Sequence, residues 1–434
     1  MVPKQMRMVP AATMSFAVQV GGGAISALTN LYLAGALGPA SKGAAQVLVT
    51  VPAILVVVSN LGVHIAGAWF IGTGRYRLSQ VLSAVFWWAI VVSLLLAIPL
   101  WFFFEQIRLM VFGGVEAQIV TVSLACVPFY ILAYYAADIL LASGRLILYA
   151  ILRLLPLVTY GLAAVLLVGV RGMGLFGATI AFASGIILSG LFAFGLVIAL
   201  SHGRLSPQRE VMRQALGFGG YVHLGTVAQF LTFRIDVLIV NALAGRTAAG
   251  FYAVASSLAE IVWYAGRAVE SVIVPRIARA SGDEARQISS TAIRVTGGMS
   301  LLTAAVIAVG APLLLHRLLP AFTPALPAVW LLLPGTVLSG IFIVAAGDLR
   351  GRGRPALAAA ISVAGLVMNV VLNFILVPRF GFVGAAAASL LTYGCQAVAA
   401  AYALSRISGA TYGSMVALSL GDLRLFRAIT QQPW

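Results

Sequence analysis

Long apolar stretches separated by short polar gaps run through the whole chain. They fall at about residues 11–36, 44–71, 80–103, 118–142, 147–169 and 174–200, then at 215–243, 248–274, 291–315, 324–347, 355–377 and 383–405. Each has the roughly 20 residues that an α-helix needs to cross a hydrocarbon core. No water is present there to bond exposed amides, so helices are the form such stretches take. The pattern predicts an all-α polytopic membrane protein with about twelve transmembrane helices. The longest polar gaps are 201–213 and 276–290. The first separates two sets of six spans. This predicts a six-helix N-terminal lobe over 1–205, a six-helix C-terminal lobe over 206–406 and a cytoplasmic tail over 407–434.

The two halves echo each other. Gly38-Pro-Ala-Ser-Lys-Gly43 joins spans one and two, and Gly245-Arg-Thr-Ala-Ala-Gly250 joins spans seven and eight, 207 residues later. Gly174-Leu-Phe-Gly177-Ala178 and Gly381-Phe-Val-Gly384-Ala385 open spans six and twelve at the same offset, and Gly144-Arg145 matches Gly353-Arg354 at 209. Six passes per half is an even number, so the halves share one orientation. A pseudo-two-fold axis along the membrane normal should relate them.

Composition agrees with a membrane class. Hydrophobic residues make up 62% of the chain and charged residues 9%, where a soluble domain carries about 25% charged residues. The net charge of +16 does not indicate nucleic acid, because the basic residues lie in short gaps and form no stripe on a soluble face. Nineteen of them fall on the side of the N-terminus, among them Lys4, Arg7, Arg153, Arg204, Arg424 and Arg427. Six fall on the other side: Lys42, Arg108, Arg171, Arg246, Arg317 and Arg379. That bias over short loops places both termini in the cytoplasm. Cys126 and Cys395 both sit within apolar segments and read as buried thiols. The residues before span one hold no cleavable small-residue site, which predicts an uncleaved first helix.

Polar groups within a bilayer are costly, so their positions carry information. Ser257, Glu260, Tyr264, Arg267 and Ser271 recur at steps of three and four and share one face of span eight. Glu270 lies three residues beyond Arg267, within reach of it. Two readings stand: this face lines an aqueous cavity and binds or gates, or its charges form a structural network between helices. The first is favoured, because ionisable groups in membranes mark function. In span seven, Arg234 and Asp236 are two apart and point to different faces. Arg234 shares its face with His223 and Asn241, and Asp236 with Gln229 and Thr232. Arg234 is expected on the cavity.

The first half is mostly neutral. Span one lines up Gln19, Gly23, Ser26 and Asn30; span two, Gln46, Thr50, Asn60 and His64; span four, Tyr130, Tyr134 and Asp138. Interhelical hydrogen bonding accounts for these at least as well as substrate contact does. Asn369 and Asn373 in span eleven read as packing groups. His64 and His223 read more readily as hydrogen-bonded structural residues than as proton relays. There is no GxxxxGK[ST] phosphate loop, no metal-ligand spacing and no nucleophile–base pair. Gaps of at most about fifteen residues on the outer side disfavour a membrane glycosyltransferase or polymerase. An enzyme, a metal and a cofactor are therefore not expected.

Phe233 to Arg279 reads FRIDVLIVNALAGRTAAGFYAVASSLAEIVWYAGRAVESVIVPRIAR. With Arg234 and Asp236, the Gly245…Gly250-Phe-Tyr252 turn and Val274-Pro275-Arg276, it resembles the helix seven–eight region of the oligosaccharide flippases. Their superfamily also holds the MATE drug exporters and the peptidoglycan-precursor flippases. The first-half segment LAGALGPASKGAAQVLVTV looks like the matching family segment. The resemblance implies a transporter in a bacterial cytoplasmic membrane, moving a polyprenyl-pyrophosphate-linked oligosaccharide by alternating access between two lobes. It implies substrate contact by Arg234, Arg267, Tyr264, Asn241 and Asn30, and coupling of a proton or sodium ion at Asp236, Glu260 or Glu270. Guanidinium groups suit phosphate. A MATE-like cation-coupled drug antiporter is the rival, and it would want an acidic cavity. The lipid-linked substrate and the surrounding membrane lipids are the expected partners, with no nucleic acid.

Overall fold

The structure, a computed structural model, describes residues 8–203, 205–218, 220–280 and 282–408. The tail beyond residue 408, with Arg424 and Arg427, lies outside the described residues, as do Lys4, Arg7 and Arg204. Among the described residues the elements are all helical.

The first helix, α1 (Met8–Ser59), has 52 residues. Straight, it would be about 78 Å long, far beyond the roughly 30 Å of a hydrocarbon core. It breaks at Gly38, whose φ of 71° and ψ of 172° suit glycine alone. Lys42 Nζ then reaches Asn30 Oδ1 at 2.7 Å. Residues twelve apart on a straight helix would be about 18 Å apart, so the chain has turned back on itself. α11 (Ile235–Ala259) breaks in the same way at Gly245, φ 85° and ψ 171°, and Tyr252 beyond the break reaches Asp236 before it. α15 (Pro355–Ser408) breaks at Gly381, and Asn373 and Ser389 from its two arms meet at the same Asp236 carboxylate. Nine described segments are long and apolar enough to cross a membrane. Three of them fold back at these glycines, which gives twelve passes and makes this a multi-pass membrane protein.

Between these lie α2 (Val63–Thr73), α3 (Leu78–Phe102), the short α4 (Phe104–Met110), α5 (Ala117–Ala125), α6 (Val127–Ala142), α7 (Leu146–Ala164) and α8 (Gly174–Leu200). Then α9 (Arg209–Phe218) packs Val211 and Ala215 against the first half. α10 (Gly220–Thr232) leads into α11, and α12 (Trp263–Ile277), α13 (Gly282–Arg317) and α14 (Leu326–Gly351) precede α15. Each six-helix half has its own apolar core. Val81, Ile131, Tyr135 and Ile139 centre the first, and Val240, Val262, Leu315 and Phe322 belong to the second. Outward faces expose Leu94, Trp101, Val309 and Val398, as surfaces solvated by lipid tails require. Cys126 is buried, but Cys395 is exposed on such a face. The expectation of two buried thiols fails there because an apolar helix in a bilayer has one side turned to lipid.

The halves meet where α1 and α11 turn. A Cβ on Gly43 would stand 1.9 Å from the carbonyl oxygen of Arg246, and one on Gly250 would stand 2.0 Å from that of Pro39. Backbone touches backbone at this end, an approach open only to glycine. Farther along the same helices the lobes part.

Candidate functional site

The parted lobes enclose a cavity of about 720 Å³, lined by α1, α6, α7 and α8 from the first half and by α10, α11 and α12 from the second. Its lining runs along α1 from Gln19 through Gly23 and Ser26 to Asn30, near the sealed end. A second cleft of about 410 Å³ shares Gln19 and Arg267 with it and continues past Ser271 to Glu270 and Arg350.

The span-eight face predicted from spacing lies along this passage. Ser257, Glu260, Tyr264 and Arg267 line the cavity, and Ser271 lines the adjoining cleft. Tyr264 reaches across to α1, where its hydroxyl occupies the place a Cβ on Gly23 would take. Arg267 is exposed and has no hydrogen bond or ion pair among the described residues. Glu270 does not pair with it. Its carboxylate is ion-paired with Arg350 of α14, because a tertiary partner outcompetes the one three residues away.

Arg234 also lines the cavity. The seventh pass is interrupted between Thr232 and Ile235, where Arg234 has φ −127° and ψ −22°. The eighth loosens into a 3-10 turn at Glu260–Val262. Across these two breaks Arg234 and Glu260 form a bidentate pair, with Nη1–Oε1 at 2.6 Å and Nη2–Oε2 at 3.0 Å. Side-chain exposures of 32% and 20% leave both facing the water-accessible gap. Fork-to-fork geometry of this kind is the strong form of the ion pair.

Two candidates lie elsewhere. Asn241 is held away from the cavity, donating to the carbonyl oxygen of Val111 at 3.0 Å near the sealed end. The break at Arg234 ends the continuous helix face that would have aligned the two residues. Asp236 is 1% exposed inside the second half. It accepts from Tyr252 at 2.6 Å, Ser389 at 2.5 Å and Asn373 at 2.8 Å, with no Lys or Arg at ion-pair distance among the described residues. Asn373 thus serves a buried carboxylate and is more than packing.

The first half contributes more charge than its sequence suggested. Asn30, Gln46, Thr50, Tyr130, Tyr134 and Asp138 all line the cavity. Two cations join them that loop counting had set aside. Arg153, assigned to a span end, lines the cavity with its Nη2 at 2.5 Å from Asp138 and its guanidinium 4.6 Å from the Tyr134 ring centroid, a cation–π distance. Lys42, assigned to an outer loop, is 2% exposed, bound to Asn30 and, at 3.0 Å, to Gln46. The signals were present, since Arg153 lies seven residues inside its span and Lys42 lies four before Gln46 on one helical face. His64 is bonded to Asn60 and stands 3.5 Å from Asp138, behind the cavity wall. Four cations (Lys42, Arg153, Arg234 and Arg267) therefore face two carboxylates, Asp138 and Glu260, around the cavity.

Known proteins share this sequence pattern and fold. The probable low-salt glycan biosynthesis flippase Agl15 of Haloferax volcanii is 26% identical over 223 residues, 49% of this chain and 47% of that protein. The chain thus spans about half the length of this curated relative. The structure of the lipid II flippase MurJ in an inward closed conformation superposes with a TM-score of 0.77 at 14% identity, covering 95% of this chain and 91% of that one. An inward-facing MATE multidrug resistance transporter gives 0.75 at 17% identity, covering 89% and 95%. These two likenesses establish the shared fold. The family described as polysaccharide biosynthesis protein matches residues 32–320. By that match over most of its length, the chain belongs to the polysaccharide biosynthesis protein family, on the fold of the superfamily that holds the MATE exporters and the lipid-linked precursor flippases.

Proposed function

We propose that this chain is a flippase that moves a polyprenyl-diphosphate-linked oligosaccharide across the cytoplasmic membrane. It would work by alternating access, with both termini in the cytoplasm and the cavity open to that side in this state. The observation that carries the reading is the cationic excess of the cavity, with the Arg267 guanidinium free among the described residues. A diphosphate needs such groups, and arginine matches its oxygens in pairs. Arg234 and Arg153 each share a carboxylate and form a second tier that an incoming anion can draw on. Tyr130, Tyr134, Tyr149, Tyr160 and Tyr264 line the same space, offering flat faces and hydroxyls suited to sugar rings. The polyprenyl tail stays in lipid while the head crosses.

For coupling, Asp236 is the best-placed carboxylate. It is buried among hydroxyl and amide donors with no Lys or Arg at ion-pair distance among the described residues, whereas Glu260 and Glu270 are each held by an arginine. A proton or sodium ion would supply the missing positive charge. A drug antiporter for cations would want an acidic cavity, and the charge balance here opposes it. The test uses proteoliposomes of the full chain. A polyprenyl diphosphate carrying a nitrobenzoxadiazole-labelled sugar should become accessible to external dithionite, while ethidium should not move. Ethidium transport without movement of the lipid would replace this reading with the drug-export one.

A further inference from the structure

At the sealed end of the cavity one cation, Lys42, stands apart from the arginines and their carboxylates. Lys42 is 2% exposed, lines the cavity wall and sits one residue before Gly43, the glycine packed on the Arg246 backbone of the opposite lobe. Its ammonium has three N–H donors. Two go to the amide oxygens of Asn30 at 2.7 Å and Gln46 at 3.0 Å. Among the described residues no carboxylate lies at ion-pair distance. A buried ammonium with only neutral partners is expensive to keep. Loss of the charge would leave a simpler wall, so the position calls for an anion that is there only part of the time.

We propose that Lys42, held by Asn30 and Gln46, is a second diphosphate station, which takes the head group after Arg267 and before release. This rests on the flippase reading and deepens it. Gln19 and Asn30 are eleven residues apart on α1, a rise of roughly 16 Å. Arg267 lies at the Gln19 level and Lys42 at the Asn30 level. Arg153 and Arg234 line the same cavity. The passage therefore carries cations along its length, and the last is covered by the glycine seal. Parting the lobes at Gly43 and Gly250 uncovers Lys42 toward the far side while Arg267 is left behind.

Gln46→Glu provides the test. Only the Gln46 carbonyl oxygen is engaged with Lys42, so the substitution loses no bond and gives the ammonium a permanent carboxylate. The expected result in proteoliposomes is a melting temperature at or above wild type. Transport of the labelled polyprenyl diphosphate should fall roughly tenfold or more, the scale of a lost charge-assisted contact, while binding of farnesyl diphosphate to the detergent-purified protein changes little, since Arg267 is untouched. Lys42→Met should also lose transport while keeping that binding. Transport at wild-type rate in Gln46→Glu, or in a folded Lys42→Met, overturns the station. If instead the wild type neither binds farnesyl diphosphate nor moves the labelled lipid, the flippase reading itself has failed.

Discussion

At the scale of single residues, the arginines of the cavity do different work. Arg267 has no hydrogen-bond or ion-pair partner among the described residues, so Arg267→Ala should leave the fold intact and lose nearly all transport of a lipid diphosphate. Size-exclusion profile and melting temperature check the first, and the dithionite assay checks the second. Arg234 is tied to Glu260 in two bonds. Arg234→Lys keeps the charge but loses the fork, and a several-fold loss of rate is expected. Arg234→Glu sets two carboxylates side by side across the gap, a like-charge contact in place of the bidentate pair. It should be far worse, and Glu260→Arg in the same chain should recover part of the loss. Equal damage from Lys and Glu would make Arg234 a packing residue. Asp236 is tested by ligand-linked stability. If sodium binds there, saturating sodium should raise the wild-type melting temperature, by about 2.7 kcal/mol of stability at a hundred times Kd. Asp236→Asn should abolish that rise. If a proton binds instead, the variant should flatten the pH dependence of transport. A variant that matches wild type in both respects would leave the carboxylate a purely structural role.

At the scale of elements, the fold rests on glycines that the sequence displays openly. Gly38 and Gly245 are 207 residues apart and adopt nearly the same backbone angles. Five residues after each, Gly43 and Gly250 press against the opposite lobe in a reciprocal contact. An alanine Cβ at Gly43 would collide with a carbonyl oxygen of the main chain, which no rotamer change relieves. Overpacking of this kind costs about 1–3 kcal/mol, so Gly43→Ala and Gly250→Ala should each shift the protein toward separation at that end. In a Cys395→Ser background, Val49→Cys on the cavity wall reports this, because an impermeant thiol reagent added from the Gly38 side should label it faster once either alanine is present. Unchanged labelling would mean that the contact does not gate. Apolar periodicity and the repeat made the twelve passes and the span-eight face readable, since both depend on local spacing. The breaks at Arg234 and Glu260 were not readable, because nothing in the local sequence marks them as the helix termini they become. For that reason Asn241 was aligned with a cavity it does not reach. Lys42 and Arg153 were misplaced for another reason: a count of cations near span ends assumes water around them, whereas long side chains can turn inward to a wet interior.

At the scale of the molecule, the end that faces the cytoplasm decides what this state does. The sealed end carries the Gly38 and Gly245 turns together with Lys42, Arg108, Arg171, Arg246, Arg317 and Arg379. At the other end lie Arg75, Arg77, Arg145, Arg209, Arg213, Arg276, Arg279, Arg286, Arg350, Arg352, Arg354 and Arg406, the richer set. Basic loops are retained in the cytoplasm during insertion, so the richer end should lie inside, and the cavity then opens inward, ready to load. Arg317 and Arg145 are exposed at opposite ends and allow a direct reading in the Cys395→Ser background. Arg317→Cys should react with an impermeant maleimide in intact cells, whereas Arg145→Cys should react only after permeabilisation. The reverse pattern would leave every contact described above in place but turn the molecule over. The cavity would then face outward, Arg267 would be the releasing group, and Lys42 would be the first to meet the incoming head group.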